Sequence, residues 1–251
     1  MGFVKERLFI PKLSKQFLKN LKSMMPIFEN ILKKQIDIKV IDSTIDYKNY
    51  VLFDLSAKHT DELDLDLTDA DKFEDFVENH LSQNKAKVAF GGYLEHRNLY
   101  KRSATFNDKN TEERNIHIGL DLWIKAGTSV LSALDGKIHS FQHNLGLGDY
   151  GPTIILEHEI EGCTFYTLYG HLSLESLEGK TEGQLVKKGE KIAELGKPPI
   201  NGDYAPHLHL QIIKNLGKKK GDYPGVCSFK EVDFYKENCP DPNLLLKITK
   251  V

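Results

Sequence analysis

Apolar residues in the first third of the chain repeat at helical spacing. Phe17, Leu18, Leu21, Met24, Met25, Phe28, Ile31 and Leu32 mark one face across Ser14–Lys34, the pattern of an amphipathic helix. Pro26 falls inside it and restarts the helix as a first-turn proline. Lys15, Lys19, Lys22, Lys33 and Lys34 lie along the same stretch. The pattern predicts a core-facing helix with a solvated lysine face rather than a membrane-surface helix. Ile36–Ile41 and Val51–Leu55 read as strands. Thr68-Asp69-Ala70-Asp71 resembles a capping box, and Phe73, Phe76, Val77 and Leu81 follow it at helix spacing. The acid-rich stretch from Asp61 to Glu78 reads as a solvated face. Residues 1–85 are therefore expected to form an α/β accessory region.

From Val88 the pattern changes to short β runs punctuated by Gly127, Gly136, Gly151, Gly162, Gly183, Gly189 and Gly196. Such spacing predicts an all-β roll or sandwich over 86–251. A faint repeat links Gly127–Ile138 with Gly183–Ile192; each half reads strand, tight turn, strand. A biotin or lipoyl carrier hairpin shares this rhythm, but needs a lysine at its turn flanked by methionine, and Lys187-Lys188-Gly189-Glu190 has none. Pro240-Asp241-Pro242 marks a rigid turn before Leu244–Leu246. The expected class is α+β: a mostly antiparallel β roll or sandwich carrying an N-terminal α/β region.

Composition narrows the function. The chain has 251 residues, 40% hydrophobic and 28% charged, enough to bury a core without disulfides. A net charge of −2 gives no basic footprint for nucleic acid. The apolar runs are too short to span a membrane. The N-terminus lacks an apolar core followed by a small-residue cleavage site; a cytoplasmic location is expected, with export by an unrecognised route as the alternative. Cys163, Cys227 and Cys239 show no metal-type spacing. Reduced thiols are expected, with a Cys227–Cys239 disulfide as the alternative in an exported protein. Nothing in the composition specifies an oligomeric state.

The chemistry lies in three strings: His117-Ile118-Gly119-Leu120-Asp121, Tyr169-Gly170-His171-Leu172 and His207-Leu208-His209. Side chains alternate across a strand. On an extended segment His117, Gly119 and Asp121 share one face, and the glycine leaves room there for an ion or substrate. His207, His209 and Gln211 share a face in the same way, opposite Leu208, Leu210 and Ile212. Thr167, Tyr169 and His171 alternate against Leu168 and Leu172. Imidazoles and a carboxylate on an otherwise apolar sheet need partners, because burial without them is costly. A metal satisfies them well: two histidines and one aspartate plus water make an open zinc site. His59, His80, His96, His139, His143 and His158 stand in no comparable arrangement.

Between Arg114 and Ile213 these strings, with AGTSVLSALDGKI, EGQLVKKGEKIAELG and APHLHLQII around them, resemble the lysostaphin-like, LytM-type zinc metallopeptidases, many of which cut peptidoglycan cross-bridges. The resemblance implies one zinc ion held by His117, Asp121 and His209, with His171 and His207 as catalytic histidines beside it. It implies a mostly antiparallel β fold with the site in a groove, and a peptide or murein-fragment substrate. Tyr169 and Tyr204, near the strings, are expected to pack a groove wall or to donate to an oxyanion. Arg97, in the lead-in Gly91–Tyr100, is expected either to bind a substrate carboxylate bidentately or to form a structural ion pair with Glu95 or another acid. Two other readings keep the scaffold: a non-catalytic binding or regulatory module, and a cytoplasmic zinc hydrolase of a small amide metabolite.

Overall fold

The computed structural model describes residues 28–62, 67–99 and 112–249. Helix α1 (28–34) is followed by strand β1 (Tyr50–Leu52) and helices α2 (Ala57–Glu62) and α3 (Ala70–Gln83). Strands β2 (Val88–Gly91), β3 (Ile116–His117), β4 (Leu120–Trp123) and β5 (Ser129–Leu131) come next. The long strands β6 (Gly136–Asn144), β7 (Gly151–Ile160) and β8 (Cys163–Gly170) follow. Strands β9 (Leu185–Val186), β10 (Lys191–Glu194), β11 (His207–Ile213) and β12 (Val226–Cys227) precede the short helices α4 (Val232–Asn238) and α5 (Asn243–Leu246).

Eight strands form one sheet in the order β1-β2-β4-β11-β8-β7-β6-β9. Only the β1–β2 pairing in it is parallel, so the α+β, mostly antiparallel class read from the sequence is the class observed. The faint internal repeat has a structural counterpart: its two halves pair with each other, β5 with β10 and β6 with β9.

Alternation decides what the central strands do. Leu120, Leu122, Leu208, Leu210 and Ile212 turn to one face and enter the largest apolar cluster, with Leu32, Ile38 and Val40 from the N-terminal region. Each such side chain contributes roughly 1.5–3 kcal/mol on burial. The opposite face of β4 and β11 carries Asp121, His207, His209 and Gln211 between the apolar Trp123 and Ile213. Strand β1 extends the main sheet, and Leu32 and Ile38 share its core.

Several local expectations change. Ile36–Ile41 is not a strand: Asp37 takes a left-handed φ of 52°, Ile36 is exposed, and Ile41 makes a single bridge to Val130. The strand expected at Val51–Leu55 is Tyr50–Leu52. Helix α3 forms as predicted but is capped by Asp69, whose carboxylate accepts from the backbone N–H groups of Asp71 and Lys72. Of the long first helix, residues 14–27 with Pro26 lie outside the described residues. Cys163, Cys227 and Cys239 are free thiols, and burial pushes those of Cys227 and Cys239 up to about 12. Among the described residues no helix is long and apolar enough to cross a membrane.

Candidate metal centre and cleft

Strands β4 and β11 bring two pairs side by side: Asp121 stands opposite His209, and Trp123 opposite His207. His117 arrives by another route. It lies on β3, which pairs with β12, and the chain bends at Ile118-Gly119 before β4 begins. The expected single extended segment is therefore two short strands in different sheets. The bend still returns His117 Nε2 to 3.2 Å from Asp121 Oδ1. Gly119 makes room for a side chain rather than for an ion or substrate: a Cβ there would lie 2.5 Å from His209 Nε2 and 2.9 Å from the Leu210 carbonyl.

His171 reaches the site by breaking the alternation expected of it. Thr167 and Tyr169 face the apolar core. The Tyr169 hydroxyl accepts from Ala133 N–H at 2.9 Å and from the Thr167 hydroxyl at 3.2 Å. Had β8 continued, His171 would have joined them. Instead it takes φ 61° just past the strand end, a conformation in which histidine is enriched among non-glycine residues. The turn carries its ring to the other face, against His207, with ring centroids 4.2 Å apart. Tyr169 is fully buried and does not reach the cleft.

Three atoms converge on one point: His117 Nε2, His209 Nδ1 and Asp121 Oδ1. Their separations are 2.9 Å between the nitrogens, 3.2 Å from His117 to the oxygen and 3.1 Å from His209 to it. A tetrahedral ion with bonds of about 2.0–2.1 Å has ligand–ligand edges of about 3.3 Å, so the triangle fits one. Proton accounting supports the fit. The Gly92 carbonyl can only accept, so His117 Nδ1, 2.8 Å away, carries the proton. Gln211 Nε2 donates to Pro224 O and Cys239 Sγ, which turns its Oε1 toward His209 Nε2 at 3.0 Å. With those protons on the outer nitrogens, each imidazole in its neutral form would turn a lone pair to the common point, where the carboxylate adds a third. Burial and the Arg97 charge lower His117 to about 4. Burial acts to raise Asp121, but His117 and the Arg97 guanidinium outweigh it and hold the carboxyl well below its usual range. Two imidazole nitrogens and an ionised carboxylate oxygen facing each other are the donor set of a divalent cation.

Beside this triangle, His171 Nδ1 donates to the Asn201 carbonyl and His207 Nδ1 to the Ala205 carbonyl, each at 2.7 Å. Their Nε2 atoms are left for the cleft. Burial lowers both imidazoles below their usual value; for His171 the neighbouring His207 and His209 add to it. Tyr204 packs edge-on against both rings while its hydroxyl donates to Gly148 O at 3.0 Å. Arg97 is engaged by acids: Nε donates to Glu95 at 2.6 Å and Nη1 to Asp121 Oδ2 at 2.7 Å. The ion pair expected of it is present.

The cleft encloses about 170 Å³ and is lined by all five residues of the strings together with Arg97, Trp123 and Tyr204. Sequence reasoning missed two wall residues. Tyr150 places its hydroxyl 3.4 Å from His209 Nε2 and its ring against His171; it sits among Gly146, Gly148 and Gly151 with no periodic signal. Trp123 stacks on His207 at 5.7 Å. The i, i+2 step from Asp121 could have revealed it.

Three donor atoms that meet at one point beside two further buried imidazoles, on an antiparallel sheet, form a place able to hold a metal ion. The span 115–221 matches the model of peptidase family M23, with all five residues inside it. The chain is 35% identical over 99 residues to an uncharacterized metalloprotease of Haemophilus influenzae, across 39% of this chain and 19% of the relative. It is 29% identical over 121 residues to an uncharacterized metalloprotease of Buchnera aphidicola, across 45% of this chain and 28% of that one. It therefore covers less than a third of either relative. The catalytic domain of the antimicrobial peptidase lysostaphin from Staphylococcus simulans is 27% identical, over 49% of this chain and 80% of that one, with a TM-score of 0.34.

Proposed function

We propose that the protein is a zinc-dependent hydrolase of peptide bonds, acting on murein cross-bridges or short glycine-containing peptides. The observation that carries this reading is the convergence of His117 Nε2, His209 Nδ1 and Asp121 Oδ1 beside a second, uncommitted pair of imidazoles. His117, Asp121 and His209 would hold the ion. When bound, zinc polarises a carbonyl and brings its water to a pKa of roughly 7.

The other steps fall to the chain's own groups. His171 and His207 keep one proton each on Nδ1, fixed by backbone carbonyls, so each has a free Nε2 at the cleft. One accepts the proton of the attacking water; as an imidazolium it then steadies the oxyanion through Nε2–H and passes that proton to the leaving amine nitrogen, while the other, neutral, accepts a hydrogen bond from the water's remaining O–H. Trp123, Tyr204 and Tyr150 exclude water around them. A cleft of about 170 Å³ is smaller than the roughly 300–1,000 Å³ that encloses a drug-sized ligand. Only a short stretch beside the scissile bond is enclosed, which favours small residues there.

The test is incubation of zinc-loaded protein with pentaglycine and with digested murein, followed by mass spectrometry. Amide cleavage that a chelator stops and zinc restores is expected. Zinc-loaded protein that cleaves neither substrate contradicts the reading.

A further inference from the structure

We infer that Arg97 is a positioning residue for the metal centre: clamped by Glu95, its guanidinium takes Asp121 Oδ2 and leaves the carboxylate a single oxygen, Oδ1, to offer an ion. This rests on the reading of His117, Asp121 and His209 as metal ligands.

Arg97 is 2% exposed and Asp121 1%. A buried ion pair is weak support for stability, because desolvation offsets most of its attraction; its value here is geometric. The fork of the guanidinium makes two directed bonds, Nε to Glu95 Oε2 and Nη1 to Asp121 Oδ2. With Oδ2 so held, Oδ1 is the oxygen 3.1–3.2 Å from both ligand nitrogens. A carboxylate polarised toward a cation also gives less charge to its metal, which leaves the ion more electrophilic.

The surrounding chain is built to the same end. Gly92 has φ 100°, and a Cβ on it would strike the Arg97 guanidinium and lie 2.9 Å from His117 Nδ1. Its carbonyl accepts from that same Nδ1, and the Glu95 carbonyl accepts from His117 N–H at 2.9 Å. Residues 92–97 therefore orient two of the three ligands, yet lie outside the span that matches the family. The segment is anchored from behind by the N-terminal region: Leu55 N–H donates to Glu95 Oε1 at 3.2 Å and Ala57 N–H to the His96 carbonyl at 2.7 Å.

The test is cobalt(II) substitution of the full chain, read by visible absorption, which reports coordination number without any turnover. The wild-type protein should show the intense bands of a four-coordinate ion. Arg97→Met frees Oδ2 for the ion, so the bands should weaken about two-fold toward five-coordination. With a cleavable substrate, kcat should fall about ten-fold with KM little changed. Arg97→Lys restores charge but not the fork and should leave most of the spectral change in place. Should Arg97→Met fail to fold, Glu95→Gln, which loosens the clamp without removing the guanidinium, should still shift the bands in the same direction. Wild-type bands in the folded Arg97→Met protein, or in Glu95→Gln where that variant replaces it, overturn the inference and leave the metal site standing. A wild-type chain that takes up no cobalt overturns the metal reading itself, and this inference with it.

Discussion

The His209 imidazole occupies the volume that a side chain on Gly119 would fill. Gly119 lies between His117 and Asp121, so one residue lacking a Cβ allows the His117, Asp121 and His209 side chains to crowd together. Gly119→Ala is expected to push His209 off its position. Stability should fall by about 1–3 kcal/mol from overpacking, and zinc affinity by about 10–100-fold. A thermal melt with chelator present and a zinc competition titration measure the two effects separately. Unchanged zinc affinity would show that the glycine has no part in the site.

His171 and His207 are expected to work without holding the ion. His171→Ala should lower kcat by about 10²–10⁴-fold and leave one zinc per chain bound. Stoichiometry by metal analysis alongside single-substrate kinetics decides it. Loss of the zinc together with the activity would make His171 a ligand instead.

The pH dependence of the metal-free protein follows from the buried imidazoles. His117 is lowered from 6.5 to about 4 by burial first and by Arg97 second. The unfolded chain therefore binds the extra proton between pH 6.5 and about 4, and the folded protein does not. Stability is fully present above 6.5 and is lost as pH falls through that window. For His117 alone the loss is about 3 kcal/mol. His171 and His207, lowered in the same direction, add to it. Melting temperature in excess chelator should fall steadily from pH 7 to pH 4, and His117→Phe should flatten the fall. A melting temperature level across that range would contradict the protonation states assigned above.

The two tyrosines read from the sequence separate cleanly. Tyr169→Phe leaves the buried Ala133 N–H without its acceptor. Stability should drop by about 1–3 kcal/mol with kcat/KM unchanged. Tyr204→Phe removes the bond to Gly148 O and keeps the ring against His171 and His207. It should cost about 1 kcal/mol and change kcat by no more than a few-fold. A large kinetic effect from Tyr169→Phe would mean that residue reaches substrate after all.

The two-residue alternation in β4 and β11 was legible because it is a local property: Asp121 and His209 on one face, their leucine neighbours on the other. What alternation could not supply was each departure from it. The bend at Gly119 and the left-handed turn at His171 depend on partners far along the chain, Gly225 O for Ile118 N–H and Tyr150 O for His171 N–H. Placing Thr167, Tyr169 and His171 on one face failed for that reason. The apolar residues of Ile36–Ile41 looked like a strand, yet Ile38 and Val40 enter the core from irregular backbone, because burial needs no ladder. Arg97 carried no periodic signal at all. Its significance lies in a contact 24 residues away.

X-ray absorption at the zinc edge, on the full chain loaded with zinc, bears most directly on the central claim. One ion per chain should appear with two imidazole nitrogens and one carboxylate oxygen at about 2.0–2.2 Å and one further light ligand. His209→Ala should remove one imidazole from that shell, and His207→Ala should leave it intact. A shell that keeps both imidazoles in His209→Ala, or loses one in His207→Ala, would contradict the site as assigned.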